Sequence, residues 1–401
     1  MATLTKINNS LKKTPKILLA PLDWGLGHAT RCIPIIKELL NQKCEVWVAA
    51  SGDQKALLEE EFPFLSFVEL PGYNIKYGKN RAFTLLKIVG SIPKILIRIK
   101  REKDWMRQFL AAEKPDAVIS DNRYGLYAPG LCSVFITHQL RIRTPLGSFA
   151  DTLLQKVHYR AIRRFSSCWI PDLEGPDALA GGLSHPRQLP SIPTRYIGLL
   201  SRLERSSPAG PGVSSSCDLL VLLSGPEPQR TLFEKKVLDQ LSSYSGSTIL
   251  VRGLPGSRTS PGLSGEGGTA IPAGAEGRQG GRLTVYHHLP AGALNVVMEG
   301  AGIVLCRAGY STIMDLLKLG KKAILVPTPG QTEQEYLGSY LSGKGVLLCR
   351  EQATFSLSGA LSQAKDFPFV GIGGVTDRQD LLQKAVADLL EALAHLSATL
   401  S

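Results

Sequence analysis

No two of the seven cysteines form a C-x-x-C pair, no stretch approaches the roughly 20 apolar residues of a membrane-spanning helix, and no D-x-D triplet occurs. The first absence argues against zinc ribbons and thioredoxin-like pairs. Cys32, Cys44, Cys132, Cys168, Cys217, Cys306 and Cys349 are scattered, several inside apolar runs, which predicts buried free thiols in a reducing compartment and hence an intracellular protein. The missing triplet removes a common acidic ligand set for a divalent metal, and the expected metal complement is none. Met1 to Pro15 is polar and basic, and the apolar run Ile17 to Leu22 is too short for a signal-peptide core, so no targeting signal is visible. Aromatic residues are only 7% of the chain and form no stacking platform, so the net charge of +12 does not point to nucleic acid.

What is present is enough for two cores. The chain has 401 residues, 43% hydrophobic and 20% charged, a soluble composition long for one domain. Ile17 to Leu22, Val46 to Ala50, Leu65 to Leu70, Ala117 to Ser120 and Val134 to Thr137 read as strands. Arg31 to Asn41 and Asp53 to Glu61 read as helices between them. A Ser/Pro/Gly tract at 204–216 reads as a linker. After it the alternation resumes with strands at Asp218 to Leu223, Thr248 to Arg252 and Leu283 to His287, and helices at Arg230 to Ser243 and Ala291 to Glu299. The reading is an α/β protein: residues 1–203 one domain, 217–376 a second, and 377–401 carrying a terminal amphipathic helix. Gly253 to Arg282 has ten glycines in thirty residues and reads as a mobile loop that cannot supply a core.

Charge is unevenly placed. From Lys76 to Arg107 there are ten Lys or Arg against two acids, interleaved with apolar residues, and Pro93 should break the stretch into two helical pieces. It reads as a basic amphipathic element suited to an anionic membrane surface, or as a plain solvated helix.

Two stretches carry chemistry. Pro21-Leu-Asp-Trp-Gly-Leu-Gly-His-Ala-Thr-Arg31 joins the first strand to the first helix; Thr30 stands where a dinucleotide fingerprint would have its third glycine. His28 and Asp121 then lie at the carboxyl ends of strands of one sheet, where a doubly wound fold forms its crevice. A neutral His oriented by a carboxylate is a standard general base. His28 is equally placed to bond its own helix terminus, though the flanking Gly25 and Gly27 favour function; Asp121 divides evenly between base partner and strand-end acid. His138 reads as a buried structural imidazole. The second stretch, Cys306 to Tyr336, reads as a βαβ unit with a tight turn at Gly309 and a helix opening at Ser311 and Thr312, a place that favours a diphosphate.

Arg307-Ala-Gly-Tyr-Ser-Thr-Ile-Met-Asp315, Val326-Pro327 and Gln334-Glu335-Tyr336 together resemble the donor-binding signature of family 28 glycosyltransferases. Gly25-Leu-Gly-His28 resembles the glycine-rich loop of the same family. The resemblance implies a GT-B fold of two facing Rossmann-like domains with parallel sheets, the terminal helix crossing back to the first domain. It implies inverting, metal-independent hexosyl transfer, with an N-acetylhexosamine as the expected sugar, from a UDP-sugar to a lipid-linked or glycolipid acceptor. No cofactor is expected beyond the UDP-sugar substrate. The place of work would be cytoplasmic, on the inner face of the membrane.

By the same resemblance His28 is the base and Asp121 its partner. Donor contacts fall to Gly25, Gly27, Ser224, Gly225, Arg230, His288, Arg307, Gly309, Ser311, Thr312, Asp315, Gln334 and Glu335, and acceptor contacts to Arg31 and Arg123, with Arg123 read equally as the partner of a nearby acid. Asp315 is read either as the ribose ligand, where the family usually has Glu, or as the acid of a capping box with Thr312. Ser311 and Thr312 serve as caps, phosphate donors or both. Glu335 replaces a family Gln, and a carboxylate cannot donate to a sugar hydroxyl. The alternatives to a transferase are a nucleotide-sugar epimerase of the same architecture and a silent sugar-nucleotide-binding scaffold.

Overall fold

The computed structural model describes residues 14–73, 81–144, 146–205, 216–254, 269–272, 282–371 and 378–400. Most of the expected linker, most of the glycine-rich segment, residues 76–80 of the basic stretch and the expected boundary at 376/377 lie outside the described residues. Two compact units result: Met1–Ile75, Val89–Leu200 and Asp377–Ser401 form one, Lys76–Ile88 and Ser201–Thr376 the other.

The first unit holds seven parallel strands, β1 (Lys16–Ala20), β2 (Glu45–Ala50), β3 (Ser66–Glu69), β4 (Ala117–Asp121), β5 (Cys132–Ile136), β6 (Ser167–Ile170) and β7 (Thr194–Tyr196), in the order β3-β2-β1-β4-β5-β6-β7. β1 is buried along its whole length, as a central strand covered on both faces must be. The order reverses between β1 and β4, where Ala20 pairs with Ser120, so the loops leaving these two strands flank the switch point at which open α/β sheets bind ligands. Helices α1 (Leu26–Asn41), α2 (Gly52–Glu61), α3 (Arg81–Glu113) and α4 (Ser148–Ile162) accompany the sheet.

Two expectations change here. α1 begins at Leu26, not Arg31, because Gly25 at φ +80° is the N-cap and Gly27 is already helical. Pro93 does not divide α3, which runs for 33 residues although an interior proline forfeits one i→i−4 bond and crowds the carbonyl four residues back, at a cost of about 3 kcal/mol. Such a helix is about 50 Å long, far longer than any strand of its sheet, and its first residues group with the second unit.

The second unit repeats the plan with β8 (Cys217–Leu222), β9 (Thr248–Val251), β10 (Thr269–Pro272), β11 (Arg282–Tyr286), β12 (Ala301–Cys306), β13 (Ala323–Leu325) and β14 (Leu348–Cys349), ordered β10-β11-β9-β8-β12-β13-β14. β10 pairs antiparallel with β11, so this sheet is mixed and a strand forms inside the segment expected to be only loop. Strand pairing needs backbone groups rather than a large apolar side chain, and an antiparallel edge is a common end to such a sheet. Helices α5 (Gln229–Leu241), α6 (Ala291–Gly300), α7 (Tyr310–Leu319), α8 (Thr332–Gly343) and α9 (Leu357–Asp366) accompany the sheet, and α5 and α9 share one core with Leu219, Val221, Leu305, Ile324 and Phe355.

The last helix, α10 (Gln379–Leu400), belongs with the first unit. It lies against α1: Gln42 Nε2 donates to the Gln383 carbonyl over 3.0 Å, and Asp388 pairs with Arg195. All seven cysteines are free thiols, as their scatter implies.

Candidate active site

In the first unit the β1–α1 loop is held by Gln54, whose Nε2 donates to the Gly25 carbonyl over 2.8 Å. His28, on the first turn of α1, has 15% of its side chain exposed, and its Nδ1 lies 2.9 Å from Oδ2 of Asp121, which is fully buried at the end of β4. Burial, and next the charge of Arg31, hold the His28 imidazole below its ordinary pKa. Burial works to raise the Asp121 carboxyl, but Arg31 and His28 outweigh it and hold it at about 2. The pair is therefore a neutral imidazole against an ionised carboxylate, the state required of a general base.

Both arginines expected at the acceptor prove to be internal. Arg31 is 2% exposed, and its Nε donates to Asp121 Oδ2 over 2.9 Å while its terminal nitrogens reach Asp121 Oδ1, His28 and His138. Arg123 is wholly buried; its Nε donates to the Pro21 carbonyl over 2.7 Å and NH1 to Glu102 Oε1 over 3.1 Å. Glu102 in turn accepts from the Gly125 amide and the Tyr73 hydroxyl, both over 2.9 Å. A guanidinium enclosed in this way braces the glycine loop against α3 rather than touching an acceptor. The pairing of Arg31 with Asp121 was missed in the sequence, although the His28-x-x-Arg31 spacing puts both side chains on one helix face.

In the second unit the equivalent switch point lies between β8 and β12, where Cys306 pairs with Leu222. Two candidate loops leave it, Ser224 to Arg230 and Arg307 to Thr312. Gly225 is exposed at φ +100°, a conformation that suits glycine. Gly309 is different: its φ is −75° and an added Cβ would meet nothing nearer than 3.9 Å, so no tight turn requires glycine there. It is the N-cap of α7, which starts at Tyr310, so Ser311 and Thr312 lie inside the first turn and no side chain caps the helix.

The capping box is thereby replaced. Asp315 accepts from Ser201 Oγ over 2.6 Å, a partner 114 residues away, and burial pushes its carboxyl up to about 6 against the pull of Arg202 and Ser201.

Arg307 and Arg230 are also internal. Arg307, 1% exposed, donates to the carbonyls of Val326 at 3.2 Å and Gln229 at 2.8 Å and to Gln352 Oε1 at 2.6 Å, with its guanidinium 4.3 Å from the Phe233 ring centre. Arg230 is taken up by Glu227 and Glu234 at 2.7 and 2.8 Å. Gln334 Oε1 accepts from the Thr328 amide and Glu335 Oε1 from the Gly330 amide, both over 2.9 Å, which closes the loop before α8. His288 is half-buried after β11, and burial followed by the Arg202 charge lowers its pKa. Among the residues expected at the donor, Gly25 and Gly225 are exposed, while Gly27, Ser224, His288, Gly309, Ser311, Thr312 and Glu335 are half-buried.

Residues 290–366, which span α6 to α9, match the family model described as glycosyltransferase family 28 C-terminal domain. One relative, the UDP-N-acetylglucosamine--N-acetylmuramyl-(pentapeptide) pyrophosphoryl-undecaprenol N-acetylglucosamine transferase of Glaesserella parasuis serovar 5 (strain SH0165), is 22% identical over 391 residues, 93% of each chain. Among solved structures, the glycotransferase of kitacinnamycin superposes with a TM-score of 0.63 at 14% identity, over 96% of this chain and 100% of that one. The MurG of Acinetobacter baumannii superposes with a TM-score of 0.52 at 15% identity, over 94% and 99%. These likenesses establish the GT-B fold.

Proposed function

We propose that this chain, a GT-B glycosyltransferase whose residues 290–366 carry the family 28 C-terminal domain, moves a hexose, expected to be an N-acetylhexosamine, from a UDP-sugar to a hydroxyl of a lipid-linked or glycolipid acceptor. Transfer is inverting and independent of metal or cofactor. The observation that carries the reading is the neutral His28 backed by ionised Asp121 at the switch point of the first unit. His28 takes the proton of the acceptor hydroxyl, whose oxygen attacks the anomeric carbon. The bond to the diphosphate breaks with its electron pair going to UDP. The first turn of α7, with Gly309 admitting close approach, stabilises that leaving group.

The test is thermal unfolding with UDP, GDP, TDP, ADP and NAD, each with and without magnesium. UDP alone should stabilise, by about 2.7 kcal/mol at a hundred times its dissociation constant. If Asp315 holds the ribose as a carboxylate, UDP affinity should also fall as the pH drops below about 6, because its carboxyl must lose a proton to accept both hydroxyls. Selective response to another nucleotide overturns the donor assignment, and no response overturns the reading.

A lipid acceptor calls for a membrane-facing surface, and the relative's printed name includes an undecaprenol pyrophosphate. In α3, Leu96 and Ile97 are 62% and 53% exposed beside the exposed Lys94, Lys100 and Arg101. α4 has a stronger surface: Phe149, Leu153 and Val157, four residues apart and 84%, 57% and 59% exposed, share a face with exposed Lys156 and Arg160. The opposite face buries Asp151, His158 and Ile162. Apolar groups interleaved with cations suit an anionic bilayer. The protein should float with vesicles rich in anionic lipid, less so at high salt, and the pair F149D/L153D should remove most of that binding while leaving the UDP response intact.

A further inference from the structure

His28 stands beside a cation that simple base catalysis does not require. Arg31 NH2 lies 2.7 Å from His28 Nδ1, Arg31 Nε donates to Asp121 Oδ2 over 2.9 Å, and Arg31 NH1 lies 3.3 Å from His138 Nδ1. The charged or titratable groups around the ring are thus Asp121, Arg31 and His138, with the Cys32 thiol beneath them kept protonated by burial. Arg31 and Asp121 make opposite demands on one nitrogen, and the carboxylate prevails: Nδ1–H bonds to Asp121 Oδ2, while Arg31 NH2 has its own acceptor in Asp121 Oδ1 and lies beside the ring as a charge rather than as a donor to it.

Resting on the reading of His28 as the base, we propose that Arg31 is its positioning residue: it clamps Asp121 opposite Nδ1 and offsets the carboxylate charge, so that His28 stays neutral with its proton on Nδ1 and Nε2 open to the acceptor hydroxyl.

In a buried site the sum of neighbouring charges sets the protonation state of the ring. Asp121 alone beside His28 would favour an imidazolium, because the protonated pair is neutral in sum and the unprotonated pair carries a buried negative charge. An imidazolium has no lone pair with which to take a proton. With Arg31 present the sum is zero when the ring is neutral and positive when it is protonated, so the preference reverses. The carboxylate, fixed by two bonds to Arg31, still orients the ring. During transfer the imidazolium forms against the Arg31 charge, which favours release of the proton once UDP has departed.

The test is an imidazole nitrogen NMR titration of the whole protein, with the His28 signal assigned by its loss in His28→Gln. In the wild type the ring should titrate below the ordinary histidine range, with the neutral form protonated on Nδ1. Arg31→Gln should raise its pKa and Arg31→Lys should restore part of the wild-type value, while Asp121→Asn should lower it further. This pair of opposite shifts keeps the test valid even if one variant folds poorly. A neutral wild-type ring protonated on Nε2, or shifts of the wrong sign, overturns the proposal. The titration needs neither donor nor acceptor, so its failure is distinct from that of the transferase reading, which the nucleotide panel addresses. In turnover, the acid limb of kcat/KM in Arg31→Gln should follow the ring upward, each unit costing about tenfold in rate on the acid side, with KM for the donor unchanged.

Discussion

His28→Ala should lower kcat by about 10²- to 10⁴-fold, the usual range for a general base, while leaving UDP-induced stabilisation unchanged. The two readouts separate because His28 lies on α1 of the first unit, whereas the donor residues other than Gly25 and Gly27 lie in the second. The fold should survive, since the ring is partly exposed and its removal deletes one contact to an Asp121 still paired with Arg31. Asp121→Asn should be less benign. It keeps the shape of the side chain but leaves the Arg31 charge buried without its counter-ion, so loss of stability should accompany loss of rate. A His28→Ala protein with wild-type turnover would remove the base assignment and, with it, the observation on which the transferase reading rests. Single-turnover rates at several pH values are the appropriate measurement, because release of product can mask the chemical step.

Much of the architecture was legible because strands covered on both faces must be written as continuous apolar runs. The runs at Ile17, Val46, Ala117 and Val134 each lie within a residue or two of an observed strand. Signals tied to one local rule did less well. Thr312-Ile-Met-Asp315 has the spacing of a capping box, yet Asp315 turns to Ser201, because a side chain at that helix position is buried and takes the partner the tertiary fold offers. Pro93 suggests a break that α3 does not make, and a helix from Arg31 on is expected where α1 starts at Leu26, directly after Gly25 at φ +80°.

The arginines were the hardest to read. A cation near a glycine loop in sequence suggests an anionic ligand, but whether it faces solvent or carbonyl oxygens depends on contacts from distant segments. Arg123 meets Pro21 and Glu102, and Arg307 meets Gln229 and Gln352. No window on the sequence contains those partners.

That difference leads to the largest expected effect on stability. Arg307→Met should destabilise the second unit by about 1–3 kcal/mol for each buried acceptor it leaves without a partner. Its guanidinium ties the end of β12 to the start of α5 through the Gln229 carbonyl, and to the segment after β13 through the Val326 carbonyl. Loss of the side chain strands those oxygens in a site that water does not reach, and it also removes the cation from the face of Phe233. Burial already lowers the Arg307 pKa to about 9, a sign that the enclosure works against the charge. Arg307→Lys should recover only part of the loss, since an ammonium cannot reproduce a planar fork that reaches several acceptors at once. Because the chain has two units, the measurement should be resolved by region: hydrogen exchange across β12, α5 and β13 should accelerate in Arg307→Met while β1, β4 and α1 remain protected. The opposite pattern, wild-type protection with the UDP response abolished, would return Arg307 to the phosphate-binding role that its motif suggests.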